Sequence, residues 1–97
     1  MISKSFMSYV AKAMFGGNTV KVGNVQHSVQ KVGTNLRKVD LGNFVAIQQN
    51  PSKLGPDGKP TEGARLAQSG KAVVQFKSTD GRYIAVAVDG VVREYPS

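Results

Sequence analysis

In the first sixteen residues the apolar positions Ile2, Phe6, Tyr9, Val10, Ala13 and Met14 recur at three- and four-residue steps. That period puts them on one stripe of an α-helix. Ser3 or Ser5 supplies an N-cap, and Gly16-Gly17 a stop. The spacing predicts an amphipathic helix over 1–16. Three uses fit it. The ordinary one is docking on the core. The stretch is also basic, serine-bearing and free of acids, as targeting segments are, and Ala11-Lys12-Ala13 has the small-x-small form of a cleavage site. Ser8 and Lys12 break its apolar part, which argues against a secretory signal. The third use, an interfacial membrane helix, is poorly served by two lysines.

From Thr19 the period shortens to two. Val20-Lys21-Val22 and Val25 to Val32 flank Gly23-Asn24, a two-residue hairpin turn that sets Val22 against Val25, Lys21 against Gln26 and Val20 against His27. Leu36 to Leu41 is a further strand, ending at Gly42-Asn43. Phe44 to Gln49 is a compact apolar one, ending at Asn50-Pro51. Residues 19–49 therefore form a basic β segment. Residues 50–63 read as a loop, because Asn50-Pro51, Gly55-Pro56, Asp57-Gly58 and Lys59-Pro60 are turn pairs and proline cannot donate to a ladder. A short helix over 64–69 follows, capped near Thr61 and stopped by Gly70.

Residues 72–95 form a β-meander of Ala72–Lys77, Arg82–Val88 and Val91–Tyr95. Two registers compete at its first turn. A two-residue Asp80-Gly81 loop would mix Gln75 and Lys77 with Ile84 and Val86. A three-residue loop with Gly81 left-handed sets Ala72, Val74 and Phe76 beside Ile84, Val86 and Val88, and this cleaner sorting is the expected one. Asp89-Gly90 as a type I′ turn adds Val91 and Tyr95 to that face. The other face then carries Lys71, Val73, Gln75, Lys77, Tyr83, Ala85, Ala87, Val92 and Glu94. It serves either as a platform, with a base stacked on Tyr83 and phosphates at Lys71 and Lys77, or as the seat of the N-terminal helix over Ala85 and Ala87. The second is the ordinary way to complete a small domain.

Composition adds charge to this picture. The 97 residues suit one domain and hold 13 Lys+Arg against 6 Asp+Glu, a formal charge of +7. Residues 1–56 hold seven bases and one acid, Asp40; residues 57–97 hold six bases and five acids. No acid precedes Asp40, and an all-basic stretch of that length attracts polyanions, although net charge also serves simple solubility. Lys21, Lys31, Arg37 and Lys38 lie there with Gln26 and Gln30, and no aromatic residue occurs between Phe15 and Phe44. That suits contact with a phosphate backbone more than reading of bases. It equally suits a solvated edge whose lysines discourage aggregation.

Catalytic chemistry finds little support. Without Cys there is no disulfide, thiolate site or Cys nucleophile. His27 is the one histidine, and Asp40 its nearest acid in sequence. Asp57, Asp80 and Asp89 each precede Gly, which explains them as turn residues. Gly63 to Gly70-Lys71 fails as a phosphate loop: the spacing is too long and Ala72 replaces the magnesium-binding hydroxyl. Gly55-Pro56-Asp57-Gly58 has the form of a KH loop but is flanked by prolines, as a plain turn is. The cold-shock and RRM aromatic motifs are absent.

The expectation is an α+β chain: an N-terminal helix and a short internal helix on a bent antiparallel sheet or small open barrel. The expected function is non-enzymatic binding of nucleic acid through Lys21, Lys31, Arg37 and Lys38, with Lys71, Lys77 and Tyr83 as a second patch. No cofactor or metal is expected. The alternative is a protein-interaction or assembly module (an inhibitor, adaptor or phage-type accessory protein) docking on an acidic partner or a second copy. The longest apolar run, Tyr83–Val88, is too short to span a membrane, so a cytoplasmic location is expected.

Overall fold

The computed structural model describes residues 2–32, 36–48 and 54–96. The elements run α1 (Lys4–Gly16), β1 (Thr19–Val22), β2 (Val25–Ser28), β3 (Gln30–Lys31), β4 (Arg37–Asp40), β5 (Phe44–Gln48), α2 (Glu62–Gln68), β6 (Val73–Ser78), β7 (Tyr83–Val88) and β8 (Val91–Glu94). This is the expected α+β architecture. β1 and β2 form a separate two-stranded ribbon, and β3 to β8 form a six-stranded antiparallel sheet in chain order. The sheet is open, with β3 and β8 at its edges.

Ser3 caps α1, its hydroxyl accepting the Phe6 N–H at 3.1 Å. The expected stripe is rotated by about one residue. Met7, Val10, Ala11 and Met14 are the buried positions, while Tyr9 faces outward and its hydroxyl donates to the Lys21 carbonyl at 2.6 Å. The ribbon keeps the expected register, Val22 against Val25 and Val20 against His27. The continuous strand expected over Val25 to Val32 is instead two. β2 pairs with β1, and β3 pairs with β4 in the other sheet. The chain changes sheets at Val29, whose N–H donates back to the Asn18 carbonyl at 2.8 Å. Gly55 to Gly58 is the plain turn expected, closed by Gly58 N–H to the Gly55 carbonyl at 3.0 Å. Gln49 and the Asn50-Pro51 turn lie outside the described residues. Helix α2 starts two residues earlier than expected, immediately after its N-cap Thr61, which accepts the Ala64 N–H at 3.1 Å.

The meander contains the main correction. Its first turn has the expected three residues: Ser78 N–H donates to the Arg82 carbonyl at 2.8 Å and Gly81 is left-handed, with φ +91°. A left-handed φ is tolerated by glycine and resisted by residues with a Cβ. Lys77 then pairs with Tyr83, but Phe76 pairs with Ala85. Ile84 is the extra residue of a β-bulge. Beyond it every side chain of β7 changes face. Val86 and Val88 therefore do not join Val74 and Phe76; Ala85 and Ala87 do, and Ile84 at the bulge still packs against that core. The type I′ turn at Asp89-Gly90 is present, with φ of 52° and 86°. It sets Val91 against Val88, on the face away from Phe76.

Two cores result. One face of the sheet, with Val39, Phe44, Ala46, Val74, Phe76, Ala85 and Ala87, packs under Met7, Val10, Ala11 and Met14 of α1 and Val20 of the ribbon. The alanines of β7 let α1 approach closely, as the ordinary reading anticipated. The Ser8 hydroxyl fastens α1 to the second turn by donating to the Gly90 carbonyl at 2.7 Å. On the opposite face Val73, Gln75 and Val86 are buried, and α2, with Gly63 and Ala64 buried, packs against β6.

Candidate functional site

The registers arrange the second face in cross-strand rows. Asp40, Val45, Lys77 and Tyr83 form one, and Lys38, Ile47, Gln75, Val86 and Arg93 the next. Helix α2 covers the far end of the second row. Val45, Ile47, Lys77 and Tyr83 remain partly or largely open. A shallow groove of about 360 Å³ runs here, lined by Lys38, Asp40, Val45, Ile47 and Lys77 among others. Neighbouring strands are about 4.8 Å apart, so the backbones of Lys38 and Lys77 stand on the order of 10 Å from one another.

Tyr83 is 49% exposed, and the Lys77 ammonium sits 5.1 Å from its ring centroid. A second cation–aromatic pair lies alongside, with the Arg93 guanidinium 5.5 Å from the Tyr95 ring. Gln75, buried between them, donates through Nε2 to the Tyr95 hydroxyl at 2.9 Å. Burial pushes the Tyr95 phenol above its usual range; the Gln75 hydrogen bond opposes this and the Glu62 charge adds to it. Tyr95 is thus a neutral hydroxyl at physiological pH. Arg93 is committed to Glu62, whereas Lys77 and Lys38 have no carboxylate partner among the described residues.

The expected site residues do not share one surface. Lys21 is exposed on the ribbon, against Gln26. Lys31 and Arg37 pair across β3 and β4 and point to the α1 side, while Lys38 points to the other. Arg37 is occupied. Its Nη1 donates to the Met14 carbonyl at 2.7 Å and to Gln48 Oε1 at 3.3 Å, and its Nη2 donates to the Gly17 carbonyl at 2.6 Å and Asn18 Oδ1 at 3.2 Å. These bonds satisfy carbonyls at the C-terminal end of α1 with a cation, as the helix dipole favours. The Arg37 guanidinium is thus engaged with the end of α1. Lys71 is exposed just ahead of β6. Lys77 is brought beside Tyr83, and Lys38 lines the groove with Lys77. Val45 and Ile47, which floor the groove, were not singled out by sequence, although β5 read as an apolar strand.

The face expected to join Tyr83 with Ala85, Ala87, Val92 and Glu94 is divided by the bulge: Tyr83 stays with Lys77, and the other four turn to the α1 side. His27 lies half-buried on the ribbon, and no group of three potential metal-ligating side chains occurs among the described residues. No helix among them is long and apolar enough to cross a membrane. No family model, no curated protein and no solved structure matches the chain.

Proposed function

We propose that this protein is a non-enzymatic module that binds single-stranded nucleic acid on the open part of its second sheet face. The observation that carries the reading is the Lys77–Tyr83 pair. The exposed ring has the Lys77 ammonium at 5.1 Å, and Lys38, with no carboxylate partner among the described residues, lines a groove together with Lys77. Every base has a π-face to stack on a tyrosine, and lysines supply charge for the phosphates. The apolar floor of Val45 and Ile47 suits the flat side of an unpaired base. Duplex recognition is less well served, because among the described residues no helix or ribbon projects a row of cations of the kind a groove receives.

The test is fluorescence anisotropy with an oligothymidylate of about twelve nucleotides, within the usual footprint of such modules. Tyr83→Ala is expected to lose roughly 5- to 150-fold in affinity, the equivalent of about 1–3 kcal/mol per stacked base. Unchanged affinity in that variant would remove the ring from the site. A second reading, docking of a protein, draws on Val91, which is 74% exposed on the edge strand β8. A partner that stays bound after nuclease treatment would favour it.

A further inference from the structure

Around the edge of the sheet from Lys77, a second cleft of about 420 Å³ opens between the start of α1 and the ends of β7 and β8. Ile2, Ile84 and the two rings of Tyr83 and Tyr95 line it, with Arg82 and Glu94 as its charged members. Its size lies within the range of roughly 300–1,000 Å³ typical of small-ligand sites. The bulge at Ile84 shapes it, since Tyr83 and Glu94 fall on opposite faces of the sheet yet both border the cleft. Tyr83 therefore belongs both to this cleft and to the face with Lys77.

The two charged groups differ in their commitments. Arg82 is paired with Asp80 at 3.4 Å. Glu94 has no ion pair or hydrogen bond among the described residues. An acceptor-only carboxylate beside two aromatic rings, on a chain of charge +7, is poorly placed to attract a polyanion but well placed to read one. On the reading that a single strand lies across Tyr83, we infer that this cleft receives one unpaired base of the strand and prefers guanine. The Watson–Crick edge of guanine presents two adjacent donors, N1–H and the N2 amino group, which match the two oxygens of a carboxylate. Thymine and uracil present one N–H between two carbonyl oxygens, which the carboxylate repels. Stacking on Tyr83 or Tyr95 holds the base, and Glu94 selects it.

The experiment compares three strands by anisotropy: the oligothymidylate, the same strand with one central guanine, and the same strand with hypoxanthine there, which keeps N1–H but lacks the N2 amino group. The expected result is about tenfold tighter binding of the guanine strand than of oligothymidylate, with hypoxanthine between them. Glu94→Gln should abolish the preference, by weakening guanine binding and relieving the repulsion of thymine, with the circular dichroism spectrum unchanged. Glu94→Asp should restore part of it. Oligothymidylate binding with no guanine preference, or a preference that survives Glu94→Gln, overturns the inference and leaves the parent reading standing. Binding to none of the strands overturns both.

Discussion

Arg37 and Lys38 are adjacent in sequence and opposite in use. Alternation along β4 sends Arg37 toward α1 and Lys38 toward the groove. The guanidinium has donors in a fixed fork; three of its bonds go to acceptors around the end of α1 and the fourth to Gln48 on β5. Arg37→Ala should therefore cost about 1–2 kcal/mol of stability, from the lost capping and dipole interaction. Lys38→Ala should leave stability within about 0.5 kcal/mol, as surface substitutions usually do, and weaken strand binding. Urea denaturation read beside anisotropy separates the two. Equal stability of both variants would contradict the capping assignment. Charge is legible in sequence at every lysine and arginine. Whether a cation meets solvent or main-chain carbonyls depends on what the fold places opposite it, and no local pattern around Arg37 announces the end of α1.

At the scale of elements, the helix period, the hairpin at Gly23-Asn24, the three-residue turn before Arg82 and the type I′ turn were all legible, because each rests on local chemistry. The bulge was not. A turn fixes the register only at its own end of a hairpin, and the extra residue at Ile84 enters three positions beyond Gly81. Sorting apolar residues onto one face favoured Ile84, Val86 and Val88. The fold instead needs small alanines under α1 and larger valines under α2, a demand set by two helices that the hairpin alone does not reveal. The same turn carries a pH dependence. The Ser78 hydroxyl donates to the Asp80 carboxylate, and with the Arg82 N–H it holds Asp80 below the usual aspartate range; slight desolvation opposes them and the Arg82 charge adds to them. A lowered folded-state value means that stability is present above the ordinary aspartate range and is lost as pH falls through the lowered value. Asp80→Asn is expected to shrink the loss of stability between about pH 6 and about pH 3, measured by thermal melts. An identical loss in variant and parent would show that the turn contributes nothing to it.

For the whole molecule, the imbalance between halves correctly located an excess of positive charge but not its direction. Lys21, Lys31 and Lys38 leave the N-terminal half on the ribbon, the α1 side and the groove side respectively. What converges is assembled from both halves: Lys38 on β4, Lys77 on β6 and Tyr83 on β7, with β5 as floor. Antiparallel order along the chain makes this possible, since each strand lies beside its sequence neighbour and alternate residues share a face. The central claim is that phosphates meet Lys38 and Lys77 on that face, and the dependence of affinity on salt tests it most directly. Affinity for the oligothymidylate should fall linearly on a log–log plot with salt, and the Lys38→Ala/Lys77→Ala double variant should show a slope shallower by about 1.4, at roughly 0.7 per phosphate contact. Affinity indifferent to salt, or the same slope in both proteins, would contradict the account.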